Sequence, residues 1–142
     1  MADGCSGARA TPCWEVARPE DSSAAVAVVG EAASPAVVVA GPVVRKGSGP
    51  EDGYSGFSVL DLTTGTTNAT ELAGLLNAQG VTEVTVVGLA GDWCVKATAI
   101  DAANLGYATT VPLTLTRFVE LNPGDADRAV AEMKAAGVTV LD

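Results

Sequence analysis

The segment Val84 to Leu89, VTVVGL, runs straight into Ala90-Gly91-Asp92 and then Cys94, and this succession restricts the fold more than any other part of the chain. Val84, Val86, Val87 and Leu89 are branched or bulky apolar residues with few polar ones between them. Such a run reads as a strand buried on both faces, as in a parallel sheet. Gly88, Ala90 and Gly91 are small, which a tight turn needs where backbone passes close to backbone. Asp92 stands where a helix N-cap belongs, its carboxylate placed to accept from the unpaired N–H groups of the next turn. Cys94 then falls in the first turn of a helix, where the dipole and the unpaired N–H groups favour thiolate over thiol. A strand, a sharp turn and a thiol at a helix start suit a nucleophile. The competing reading of a lone cysteine is a small buried hydrophobe.

On either side of this segment the pattern alternates. Residues 1–21 mix Gly, Ser, Ala, Pro and charges without periodicity and read as a flexible or loop-like N-terminal segment, with Cys13-Trp14 able to anchor it to the body. Ser22 to Glu31 is apolar and fits a short strand or a helical turn equally. Pro35 to Val44 reads as a strand, with Pro42 at its end or on an edge because it has no N–H for a ladder. Ser48 to Thr67 is a long Gly/Ser/Thr-rich connection carrying Tyr54 and Phe57. These two rings either line a pocket for a flat ligand or cap the core. Asn68 to Gln79 is helical, with Leu72, Leu75 and Leu76 on one face and Gly80 suited to the C-terminal cap.

Cys94 to Leu105 is a second helix ended by Gly106. Tyr107 to Pro112 is a short strand, Leu113 to Asn122 an irregular stretch placed to finish a pocket wall, and Pro123 to Ala136 the last helix. Asp125 and Asp127 in its first turn complement the helix dipole. Gly137 ends it, and Val138 to Leu141 is a final strand. Strands alternating with helices from Pro35 onward imply an α/β domain with a parallel sheet, set at residues 22–142.

A chain of 142 residues is the size of one domain, and with only 4% aromatic residues its core must be built mainly from Val, Ala and Leu. The net charge of −9 and the lack of a basic patch argue against nucleic acid or an anionic membrane as partner. No run approaches the ~20 apolar residues of a membrane span, and no basic-then-apolar leader is evident. Cys5, Cys13 and Cys94 form an odd set without metal-ligand spacing, so reduced thiols in the cytoplasm are the expectation. The chain has no histidine. A Ser-His-Asp or Cys-His mechanism within this chain is thereby excluded, and neither a metal nor another cofactor is expected.

Gly88-Leu89-Ala90-Gly91-Asp92-Trp93-Cys94-Val95, with Thr98-Ala99, Asp101-Ala102 and Gly106 behind it, resembles the nucleophile motif of the nicotinamidase/isochorismatase-like cysteine hydrolases. Arg45-Lys46-Gly47 and Tyr54-Ser55-Gly56-Phe57 resemble that family's catalytic-lysine strand end and the aromatic segment after it, and Leu72, Leu76, Gly80 and Val81 fit its next helix and turn. The resemblance runs from about Val37 to the C-terminus. It implies a three-layer α/β fold with a mostly parallel sheet flanked by helices, and hydrolysis of a small amide or related molecule. It makes Cys94 the nucleophile, Lys46 the triad lysine, Leu89-Ala90 a cis peptide beside the oxyanion site and the Cys94 N–H an oxyanion donor. Tyr54, Phe57 and Trp93 become candidates for the substrate pocket.

Two family features have no counterpart. The triad aspartate, at the end of an N-terminal strand in an apolar-Asp-x-Gln type of motif, has no match before Val37. The Asp/His metal cluster of nicotinamidases is absent as well. The first strand-helix-strand portion of the family fold is therefore expected to be missing, leaving a gap beside Val84–Leu89. Either Ala24–Val29 fills it or another chain does, which makes a homo-oligomer or an obligate partner an expectation. Asp92 is a helix cap or a substitute base. The alternatives to a hydrolase are a shortened, non-catalytic relative that binds a small molecule or a partner chain, and a catalyst of addition, elimination or ring formation on the same scaffold.

Overall fold

The computed structural model describes residues 24–29, 42, 44 and 51–142, with the side chains of 24–29 and 51–52 excepted. Lys46, residues 1–21 and most of the strand expected over Pro35–Val44 lie outside the described residues; Pro42 and Val44 belong to neither helix nor strand.

Glu83–Leu89 is strand β5, at the centre of a parallel sheet. Its neighbour on one side is β1, Ala24–Val29, in register from Ala24 opposite Glu83 to Val29 opposite Gly88. Of the two readings open for that segment, strand is the one realised, because it finds the hydrogen-bonding edge of β5. The gap expected beside Val84–Leu89 is thus closed from within the chain. On the other side β6, Ala108–Pro112, pairs with β5, and β8, Thr139–Leu141, pairs with β6, giving the order β1-β5-β6-β8 with every pairing parallel. A two-residue strand, β7 (Thr116–Arg117), runs parallel to the end of β5 at Gly88 and Leu89.

The Ser48–Thr67 connection is not a loop throughout. Glu51–Asp52 (β2), Ser58–Asp61 (β3) and Thr67–Ala69 (β4) form an antiparallel three-stranded meander. Ser58–Asp61 and Thr67–Ala69 show no buried alternation, so periodicity had nothing to register. The meander's turn is instead closed by Asp61, whose carboxylate accepts from the N–H groups of Thr63 and Thr64 at 2.8 and 3.2 Å. The following helix is shorter than Asn68–Gln79: α1 spans Leu72–Ala78, since Thr67–Ala69 is taken by β4. Thr70 makes the junction, donating its hydroxyl to Gly56 O at 2.6 Å.

Helices α2 (Lys96–Asn104) and α3 (Asp125–Ala135) follow β5 and precede β8 respectively, as expected from their apolar spacing. Gly106 and Gly137 end them in left-handed backbone that any side chain would resist. Val84, Val86, Thr109, Val111 and Val140 share one face of the sheet by register. All but Val140 are buried, beneath Val95, Ala99 and Ala102 of the helical side and Met133 of α3. Leu72 and Leu76 of α1 pack on the same cluster. On the opposite face Thr85, Val87, Thr110 and Pro112 are only half-buried, and Leu89 and Leu141 are exposed.

Candidate functional site

Beyond the carboxyl end of β5 the chain turns sharply. Gly88 has φ 116°, the Leu89–Ala90 peptide is cis, and Gly91–Val95 forms a single π-helical turn that leads into α2. The Val95 N–H donates to Ala90 O at 3.0 Å and the Lys96 N–H reaches back to Gly91 O, the wide spacing that defines such a turn. Single π turns are rare, and those that occur are frequently at functional sites. Cys94 is in this turn, a half-buried thiol with Trp93 exposed before it and Val95 wholly buried behind it. The Gly/Ala-rich approach is what permits the bend, and the burial of Val86 and Val95 is what holds it to the sheet.

Asp92 does not cap this helix. The cap position is Ala90, with no side-chain hydrogen bond, and Asp92 lies one residue inside the turn. Its carboxylate instead crosses to the segment between β7 and α3, accepting from the Val119 N–H on Oδ1 at 3.1 Å and from the Glu120 N–H on Oδ2 at 2.8 Å. The side chain is only 6% exposed. A cap and a cross-link use the same acceptor; which donors it meets depends on how the distant segment is folded. Glu120 has the left-handed φ of 51°, and its own carboxylate accepts from the Gly124 N–H at 3.1 Å. Phe118 lies across Gly91, with ring carbons 2.7–2.8 Å from where a β-carbon would stand. The irregular stretch expected to finish a pocket wall is therefore seated directly on the turn that carries the thiol. A glycine at position 91 was the sequence signal for that close approach.

Of the three rings named from the sequence, two come together. Tyr54 and Trp93 stand with centroids 5.2 Å apart at a tilt of 41°, and both are exposed. Such a pair presents aromatic faces and edges to solvent beside the thiol's turn. Phe57 does not join them. It is 4% exposed and stacks on Tyr107 within the core at 6.0 Å, so it is a packing residue, drawn inward by the meander. Gly56 seats that segment on α2, its N–H donating to Thr98 Oγ1 at 2.9 Å, and the buried Ser55 hydroxyl accepts from the Phe57 N–H at 3.1 Å.

Trp93 also borders a charged cleft of about 220 Å³ between the starts of α2 and α3, lined by Asp92, Lys96, Asp125, Arg128 and Glu132 among others. Its charges are already paired: Lys96 Nζ lies 2.7 Å from Glu132, and Arg128 bonds Asp125. The Asn122 backbone N–H, with Arg128 beside it, holds the Asp125 carboxyl below its ordinary value. Cys94 and Tyr54 do not line this cleft. Among the described residues no group of three or more Cys, Asp and Glu side chains is placed to hold a metal ion, and the chain has no histidine to match the metal cluster of nicotinamidases. No helix among them is long and apolar enough to cross a membrane.

Residues 49–142 match the isochorismatase domain family. The chain belongs to that family. The chain is 39% identical over 99 residues to the nicotinamidase of Escherichia coli, an alignment covering 69% of this chain and 45% of that protein. It is 42% identical over 88 residues to a nicotinamidase/pyrazinamidase of Mycobacterium tuberculosis, covering 62% of this chain and 44% of that one. The structure of yeast nicotinamidase bound to the inhibitor nicotinaldehyde superposes with a TM-score of 0.57 at 35% identity, over 65% of this chain and 41% of the yeast chain. The chain thus spans less than half the length of these relatives.

Proposed function

We propose that this isochorismatase domain is the nucleophile-bearing part of an amidase acting on a small aromatic carboxamide, with nicotinamide and pyrazinamide the first candidates because its relatives are named for them. The observation that carries the reading is the half-buried Cys94 thiol on a π turn at the head of α2, beside the exposed Tyr54–Trp93 pair. In the reaction the Cys94 sulfur attacks the amide carbon and the carbonyl oxygen takes the negative charge. The backbone at Leu89-Ala90 and the Cys94 N–H are its proposed donors. The C–N bond then breaks, the nitrogen takes a proton and leaves as ammonia, and water cleaves the thioester to a carboxylate. Lys46 is the proposed group for activating the thiol and moving these protons. Tyr54 and Trp93 serve as the wall for the flat ring. The domain is proposed to extend over residues 22–142 and to work in the cytoplasm without a cofactor.

The bonding of Asp92 favours a second reading. Each of its oxygens already accepts a backbone N–H, so it is poorly placed to act as the base that the absent family aspartate would provide. A non-catalytic domain that binds the same flat ligand needs no base. Ammonia release from nicotinamide by the full chain, compared with Cys94→Ala, decides between them. Release by the native chain and none by the variant supports the amidase. Binding of nicotinamide with no release by either supports the binder.

Association with a second copy or a partner chain is part of the proposal. β1 closes the gap beside β5 and becomes the end of the sheet, its outer edge unpaired among the described residues. Leu89, Leu115, Leu121 and Leu141 are exposed as well. Sedimentation at low concentration tests this, and a compact monomer would count against it.

A further inference from the structure

Three independent contacts tie one loop to the turn that carries Cys94. β7 is hydrogen-bonded beside the end of β5 at Gly88 and Leu89. Phe118, next in the chain, covers the bare α-carbon of Gly91. Asp92 then takes the amides of Val119 and Glu120, one on each oxygen. Glu120 is in left-handed backbone, a conformation that a non-glycine residue keeps only where its surroundings hold it. The bond from its amide to Asp92 and the bond from Gly124 to its carboxylate are what hold it. A solvated surface loop has no need of a buried carboxylate reaching from another element.

We infer that Asp92 is a positioning residue for Cys94, clamping the Phe118–Glu120 loop against the π turn so that the thiol and the turn's backbone N–H groups keep one fixed relation. This rests on Cys94 being the reacting group of the proposed site. The carboxylate acts through the loop, and it exchanges no proton with the sulfur. Phe118 is the other half of the clamp, pressing on the turn one residue earlier. Loosening either half lets the turn shift, and displacement by about 1 Å at a reacting group is enough to cost roughly a hundredfold in rate.

The test is the rate at which iodoacetamide alkylates Cys94 across a pH series in the full chain, read by peptide mass spectrometry so that Cys5 and Cys13 are counted separately. Asp92→Asn and Phe118→Ala should each slow alkylation by about tenfold across the series, because the sulfur loses its fixed place on the turn. Val138→Ala, a core substitution away from the loop, should lower thermal stability and leave the Cys94 profile unchanged. Phe118→Ala removes no titratable group, so an effect confined to Asp92→Asn would mean direct carboxylate chemistry and would overturn the inference. So would profiles within about twofold of the native chain in both variants, or an equal slowing in Val138→Ala. If Asp92→Asn does not fold, Phe118→Ala alone decides. Failure to release ammonia from nicotinamide would remove the amidase reading and leave this thiol measurement standing.

Discussion

The ring of Phe118 occupies the place where Gly91 would carry a side chain, its carbons 2.7–2.8 Å from the position of a β-carbon. Gly91→Ala must therefore displace the ring or the turn. Forcing a methyl into packed space costs about 1–3 kcal/mol. The expected outcome is a lowered urea midpoint for Gly91→Ala, with the loss in the Gly91→Ala/Phe118→Ala double variant smaller than the sum of the two single losses. Additive losses would show that the two sites do not meet.

Trp93 and Tyr54 support one another at 5.2 Å on an exposed surface beside the thiol's turn. If a flat ring is held there, removing one partner weakens binding more than it weakens chemistry. An aromatic contact contributes about 0.5–1.5 kcal/mol, so Trp93→Ala should raise KM for nicotinamide by about two- to tenfold and leave kcat nearly unchanged. Steady-state ammonia release measures both. A fall in kcat at constant KM would move Trp93 from ring binding to the positioning of Cys94.

Met133 is completely buried where α3 meets the sheet and α2. Met133→Ala should cost about 2–5 kcal/mol, from lost apolar burial and the cavity left behind. Chemical denaturation of the full chain gives the value. A loss below about 1 kcal/mol would mean that α3 does not close the core as described.

Asp61 is held below its ordinary value of 3.8, first by the Thr63 backbone N–H and then by that of Thr64. A carboxyl depressed in the folded chain adds stability above the unfolded value, and the contribution is lost as pH falls through the lower, folded value. Asp61→Ala should therefore lower the denaturation midpoint at neutral pH, and the difference from the native chain should shrink below about pH 4. A difference that grows on acidification would contradict the turn described for β3 and β4.

Much of this architecture is written in local pattern. The apolar run at Val84–Leu89, the spacing of Val130 and Met133, and Gly80, Gly106 and Gly137 at helix ends locate β5, α3 and the helix boundaries, because period and turn chemistry are properties of consecutive residues. The small residues around Cys94 announce the sharp turn for the same reason. Other features depend on partners far away in the chain. The strands at Ser58–Asp61 and Thr67–Ala69 are hydrogen-bonded to one another without a buried face, so no alternation marks them. Ala24–Val29 is a strand because β5 offers it an edge. Phe57 is drawn into the core while Tyr54, three residues earlier, stays outside. Asp92 had the right chemistry for a helix cap, yet the turn starts from Ala90, two residues earlier. Only the folded chain brought the amides of Val119 and Glu120 within reach of its carboxylate, because a hydrogen bond follows proximity in space, and sequence spacing alone does not report it.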